Sequence, residues 1–437
     1  MSKITLALLI AGFINSSVAS SVYAFDARSA AVGGSAIANG YGAHGALDNP
    51  SSLMRYHRQQ QHFHMHLGGS LDIQDNAGII DAAIEEDTLL TDLEQEIDLI
   101  TDSTLTCDIN SALESTCLEN TQNIGQLATT VFDILNKADN QPIKATAAAE
   151  FGIALSNWSV PVAFHYRVSV SGASTTDVAS GDLAYVNGFA TALSDDKLTL
   201  NELVSSVPFS ISFDGQTLNV QQPEDVLESE AEGSLLARQQ FGFSVARGFP
   251  IAGLNVDIGL TPKFSILTAA GLSAGIADQF NDNTDSLTKQ LEDSEITENT
   301  FTVDVGATTE LQNLPLRLSF VATNMIEESI TTGDDFILKT TPQLVVGGAF
   351  SIGALTLTGD MALNEAKIDN LETQIVAVGI DYSRKYFGIG AGIGHDNART
   401  ADATALSLGV SLGPFHIGGR ITERQSAQAG AQVAFSF

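Results

Sequence analysis

Three histidines, His62, His64 and His66, fall at alternate positions near the front of the chain, with His57 just before them. In an extended segment they share one face. Alternating imidazoles of this kind are able to ligate a transition metal through their ring nitrogens. No carboxylate or cysteine within the run completes such a site, and the other face, Phe63, Met65 and Leu67, is apolar. The row therefore reads as the polar inner face of a half-buried strand, with neither metal nor other cofactor expected. The two cysteines, Cys107 and Cys117, stand in TCDINSALESTC. In an exported chain an even pair this close reads as a local disulfide; a zinc pair is the rival, but no histidine lies nearby and the spacing is too wide for a zinc knuckle.

Ionisable residues recur on the polar faces of later alternating segments: Glu150, His165, Arg167, Asp257, Lys263, Asp304, Glu310, Arg317, Asp360, Asp381 and Arg420. Charges of both signs facing one another across a narrow lumen would pair and restrict passage. No G-x-S-x-G, H-E-x-x-H or phosphate-cradling loop accompanies them, so no enzyme is expected. The net charge of −32 repels a phosphate backbone and argues against nucleic acid as partner.

These residues need strands to hold them. From Ala405 to Leu412, the apolar Leu406, Leu408, Val410 and Leu412 alternate with Ser407, Gly409 and Ser411. Phe387, Ile389, Ala391 and Ile393 alternate with Gly388, Gly390, Gly392 and Gly394, and Leu355, Leu357, Met361 and Leu363 oppose Thr356, Thr358 and Asp360. One face suits lipid and the other water, the pattern of a membrane barrel. The same reading over the whole chain gives about fourteen strands, an even number as bacterial barrels favour. The fold expected is all-β, a membrane-spanning antiparallel barrel, in keeping with 38 glycines, 22 phenylalanines and a charged fraction of only 16%.

The first 24 residues read as a cleaved export signal. Lys3 is followed by an apolar run from Ile4 to Ile14, and Val22 and Ala24 are placed for a signal peptidase, with cleavage near Ala24. No later run reaches the roughly 20 apolar residues of a spanning helix. Short connections around Ser159, Phe249-Pro250, Asn313, Gly353, Arg384-Lys385 and Pro414 alternate with longer ones. Periplasmic turns of outer-membrane barrels are short and external loops long, so both termini are expected in the periplasm of a Gram-negative bacterium. The barrel unit is taken as residues 53–437, with acidic external loops at 74–146, 172–238 and 268–299. Ile84 to Ile100 carries apolar residues at helical spacing among acids, and a second helix is expected over Ile124 to Lys137.

Both ends of the mature chain carry signals. Val433, Phe435 and Phe437 alternate with polar and small residues, the form of the closing strand by which barrels are handed to the outer-membrane assembly machinery. The stretch 25–52 is rich in glycine and alanine and lacks strand alternation; Gly33-Gly34 permits positive φ and Asn49-Pro50 marks a turn. It reads as a hatch placed in the lumen. The front segment from Val32-Gly33-Gly34 to Asp48-Asn49-Pro50, with Leu254 to Lys263, Arg317 to Asn324 and Leu355 to Asn364, resembles the conjugal-transfer TraF-like outer-membrane family, related in architecture to long-chain fatty-acid transporter barrels. Ser51 follows Asn49-Pro50 where relatives often carry alanine. The chain lacks the C-x-x-C of the thioredoxin-like conjugation protein that shares the family name. The resemblance implies a hatch-bearing barrel with a structural or accessory role beside other conjugation proteins; its architecture implies, as the alternative, passive passage of a small hydrophobic compound.

Overall fold

The computed structural model describes residues 27–35, 37–40, 42–59, 62–75, 143–156, 159–193, 211–213, 218–220, 228–275, 284–311, 314–333, 337–368, 371–398, 404–422 and 427–436, with parts of 126–139. The export signal, Ile84 to Ile100, both cysteines and Phe437 lie outside these described residues.

Fourteen strands close into one antiparallel barrel. The wall begins with β1 (Phe63–Asp75), β2 (Ile143–Leu155) and β3 (Val162–Asp177). After a small hairpin of β4 (Ile211–Phe213) and β5 (Leu218–Val220), it continues with β6 (Glu230–Ile251), β7 (Leu254–Gly275), β8 (Ile296–Glu310) and β9 (Leu316–Thr323). A second inserted hairpin, β10 (Glu328–Thr331) and β11 (Ile337–Thr340), precedes β12 (Gln343–Ile352) and β13 (Leu355–Ala362). A third, β14 (Ala366–Ile368) and β15 (Leu371–Thr373), precedes β16 (Ile375–Ser383), β17 (Phe387–Asp396), β18 (Thr404–Leu412), β19 (Phe415–Thr422) and β20 (Ala427–Ser436). The seam closes where β20 pairs with β1, placing Phe435 opposite Met65 and Val433 opposite Leu67. No sheet edge is then left to unravel along the seam.

Alternation sets the two faces as the sequence predicts. Leu406 and Leu408 on β18 are 61% and 68% exposed on the outer surface, while Ser407 between them is buried. Phe243, Phe264, Phe301 and Phe320 extend this apolar belt. Inside, the wall is polar: Ser169, Gln240, Ser265 and Thr302 are all buried.

Two differences from the sequence reading concern the loops. Strand β6 starts at Glu230 and β7 runs to Gly275, so both are 22 residues long and the acidic run through Glu232 belongs partly to the wall. The turn between them is Ala252-Gly253, both at positive φ, rather than Phe249-Pro250. Pro250 sits inside the strand, where strand patterning extends past it. Three short helices stand at the front, α1 (Ala27–Ala31), α2 (Gly42–Asp48) and α3 (Leu53–Arg58), and longer ones occupy the long connections, α4 (Ser180–Leu193) and α5 (Thr284–Asp293). The residues described within 126–137 are helical as well.

The hairpin of β10 and β11 turns inward at the long-loop end. Ile330 and Leu338 pack with Leu236, Leu267 and Ala269 in one buried apolar cluster. Glu328 accepts from Thr300 Oγ1 at 2.5 Å and lies 3.8 Å from Arg238, which donates to Thr340 Oγ1 at 3.0 Å.

Candidate functional site

The N-terminal segment lies inside the barrel near the short-turn end. Helix α1 ends in a reversal in which Gly33 and Gly34 adopt φ of 77° and 90°, and Gly34 donates to the Ser29 carbonyl at 2.9 Å. Only residues without a Cβ take up this conformation without strain. After α2 comes the turn Pro50–Ser52, a 3-10 helix capped by Asn49, and α3 follows directly. The enclosed segment thus continues to Arg58, beyond the expected boundary at 52: Leu53 and Tyr56 are fully buried among Ala43, Ala46, Ala154, Ala163 and Ala246.

Asn49 clips the segment together and to the wall. Its Nδ2 donates to the Ile37 carbonyl at 2.8 Å and to Thr308 Oγ1 at 3.0 Å, while its Oδ1 accepts from the Ser51 backbone at 3.0 Å and from Ser51 Oγ at 2.6 Å. Ser51 Oγ also lies 2.7 Å from Thr308 Oγ1, so the serine that departs from the family pattern adds wall contacts that alanine lacks. Opposite, Gly306 and Gly259 leave the necessary room: a Cβ on Gly306 would lie 2.1 Å from Asn49 Oδ1, and one on Gly259 would lie 2.3 Å from the Pro50 carbonyl carbon.

The charged residues are distributed differently from the expectation. They do not face one another across an open lumen. Glu150 and Arg167 are register partners on β2 and β3 and bond at 3.0 Å, Lys263 and Asp304 meet at 2.8 Å on neighbouring strands, and Glu310 and Arg317 stand 3.8 Å apart across β8 and β9. Three others turn to the enclosed segment: Asp381 binds Arg28 at 2.8 Å, Asp257 binds Arg58, and Asp360 accepts from the Ile37 backbone at 3.0 Å. Arg420 is half-buried on β19, opposite Ser407 of β18 and Gln428 of β20. The physical reason is occupancy: with a chain inside, the nearest partner of a wall charge is either its neighbouring strand or that chain.

The histidine row joins this interface. His64 and His66 point inward and are buried, whereas Leu67 is 59% exposed outside and His62 is exposed. The Ala43 backbone N–H donates to His64 Nδ1 at 3.0 Å, and the His44 ring stands 6.0 Å from His64 and 5.9 Å from His66. His66 Nε2 lies 3.3 Å from Glu150, and His165 is bonded to Ser244 Oγ at 2.8 Å. His57, on α3, donates from Nδ1 to the Ser156 carbonyl at 2.6 Å. Among the described residues no group of three His, Cys, Asp or Glu is arranged to hold a metal ion.

Sequence reasoning missed the glycine side of this site. Gly379, Gly392, Gly409 and Gly418 are not water-facing spacers; they form a groove for Ala27 to Gly33. A Cβ on Gly418 would sit 2.0 Å from the Ala27 carbonyl oxygen, and one on Gly392 would sit 2.4 Å from the Val32 carbonyl carbon. The signal was available in G-I-G-A-G-I-G, where every inward position lacks a side chain.

Residues 46–361 match the family described as "F plasmid transfer operon, TraF, protein". The chain belongs to this TraF family. The match spans the Asn49 clip and β1 to β13, and so covers much of the wall that meets the enclosed segment. No curated protein matches the sequence. Solved structures similar to this TraF-family chain include a TodX mutant monoaromatic hydrocarbon channel, 11% identical with a TM-score of 0.46 over 94% of this chain and 98% of that one. The P. putida toluene transporter TodX is 11% identical, with a TM-score of 0.45 over 95% and 99%. A mutant Rh. blastica porin is 11% identical, with a TM-score of 0.28 over 86% and 100%.

Proposed function

We propose that this chain is an outer-membrane barrel closed by its own N-terminal segment, which serves conjugal transfer as a structural or accessory component. The observation that carries the reading is the way the lumen is filled. Residues 27–58 are tied to well-separated wall strands, through Arg28 to β16 and through Arg58 and Asn49 to β7 and β8, an arrangement that supports the stopper reading. Membership of a family named for a transfer operon supports conjugal transfer as the process. The partners expected are lipid against the apolar belt, the assembly machinery at Val433, Phe435 and Phe437, and other conjugation proteins.

Passive passage of a small hydrophobic compound is the second reading. The inward apolar cluster of Leu236, Leu267, Ala269, Ile330 and Leu338 favours it: the β10–β11 hairpin buries these side chains at the long-loop end, and its displacement would give such a compound an apolar surface.

The test is deletion of residues 27–58 with the export signal kept. Planar-bilayer conductance should rise well above that of the full chain, and donor cells carrying the deletion should lose mating efficiency. Unchanged conductance would remove the stopper. Normal mating combined with altered uptake of a monoaromatic probe would favour passage over the accessory role.

A further inference from the structure

The bond between α2 and β1 holds in one protonation state only. Ala43 N–H donates to His64 Nδ1, so Nδ1 must carry a free lone pair. When the imidazole takes up a second proton, both ring nitrogens become donors. The acceptor is then lost, and two N–H groups point at each other. No other geometry of the ring restores the bond while α2 stays in place.

The surroundings add to this. His64 stands 6.0 Å from His44 on α2, 6.5 Å from His66 on its own strand and 5.8 Å from the Tyr56 ring on α3. His416 on β19 adds another imidazole to the electrostatic field at His64. The carboxylate of Glu150 on β2 is already shared between His66 and Arg167 of β3. A charge on His64 is therefore placed among other imidazoles, with the neighbouring Glu150 carboxylate engaged by His66 and Arg167.

We propose that His44, His64 and His66 form an acid-sensitive latch, which fastens the N-terminal segment to β1 at neutral pH and releases it when His64 is protonated. The proposal rests on the reading of that segment as a stopper. Its sign follows from linkage. The latched state excludes the proton and the released state accepts it, so latching is complete above the ordinary histidine range and is lost as pH falls through it. One such group raises the released-to-latched ratio about tenfold for each pH unit below about 6.5.

The test compares conductance in planar bilayers at about pH 7.5 and about pH 5, either side of the ordinary histidine range. The wild-type chain should open at least about tenfold more often at the lower pH. His64→Asn places a carbonyl oxygen where Nδ1 stands and so keeps an acceptor for Ala43, but it takes no proton, and it should stay closed at both. Protease cleavage of residues 27–58 in the wild-type chain gives a second readout that needs no variant, and should rise over the same interval. A wild-type chain indifferent to pH in this interval, or a His64→Asn chain that opens as readily as wild type, would overturn the latch. The deletion of 27–58 separates the two ideas. If the deletion conducts while acid leaves the wild type closed, the latch alone fails; if the deletion conducts no more than wild type, the stopper itself fails.

Discussion

On one side of the lumen the N-terminal segment meets β1 and β7 in directional bonds, His64 accepting from the Ala43 N–H and Asp257 pairing with Arg58, while Ala154 of β2 packs beside them. On the other side β17 to β19 meet it with bare backbone, and most of the holding is contact between chains that approach too closely to admit a Cβ. Arg28 to Asp381 on β16 and a 3.4 Å bond from Ser407 to the Ala31 carbonyl add polarity there. The two kinds of interface respond to different insults. Directional bonds to ionisable groups weaken with proton uptake or loss of one partner, whereas a groove of glycines ignores pH and salt and fails only when it is filled.

The glycine side should be broken most severely by a single methyl-bearing side chain. In Gly418→Val the new Cβ meets the Ala27 carbonyl oxygen at 2.0 Å, and in Gly392→Val it meets Val32 at 2.4 Å, in both cases backbone that no rotamer change moves. The expected result is a barrel that still assembles, seen as retained heat-modifiable migration on a gel, but with the front segment displaced and open to protease. A protected segment in both variants would mean that the groove does not set its position.

A smaller effect is expected at the clip. Asn49→Ala removes the bonds to Ile37 and Thr308 and leaves the Ser51 hydroxyl with one partner fewer, at a cost of about 1 to 3 kcal/mol. Protease sensitivity of the segment should increase while the wall keeps its thermal stability. Equal protection in Asn49→Ala and wild type would show that the glycine contacts alone suffice.

The smallest effect should come from Arg28→Gln. Its pair with Asp381 leaves the arginine side chain 28% exposed, and a partly solvated pair of this kind contributes up to about 1 kcal/mol. Protease protection should fall slightly at low ionic strength, and the difference from wild type should vanish in high salt. A salt-independent loss would assign Arg28 a packing role instead.

How much of this was legible in the sequence follows from what each feature depends on. The strands were, because alternation such as Leu406, Leu408, Val410 and Leu412 is a local property, and the observed strand bounds follow it within a few residues except at β3, which runs on past Ser171 to Asp177, and at β6 and β7. Those two run past the expected ends because their upper parts pair with each other and with β3 and β8 above the apolar belt, where no lipid imposes alternation. The inward direction of His64 and His66 was legible for the same reason. Their contact with His44 was not, since nothing in a period of two says which distant residue fills the lumen. The pairing of Asp257, Asp360 and Asp381 with the front segment, instead of with opposing wall charges, is likewise a matter of tertiary occupancy. The cysteine pair and the first acidic helix fall outside the described residues.

The order in which the chain is made gives the enclosed segment a history. Arg28 is 353 positions ahead of its partner Asp381, and Ser35 and Ile37 are each 323 ahead of theirs, Thr358 and Asp360. The seam between β1 and β20 cannot shut until the last strand has arrived. The part of the polypeptide that emerges first therefore waits longest for its binding surface, and its docking reports on completion of the wall. Closing so distant a loop costs little more entropy than closing a shorter one, because that cost grows only with the logarithm of length. What delays it is sequence position, so a chain interrupted before β16 to β20 would leave an unfilled, incomplete wall and a loose, glycine-rich leader that quality-control proteases can recognise.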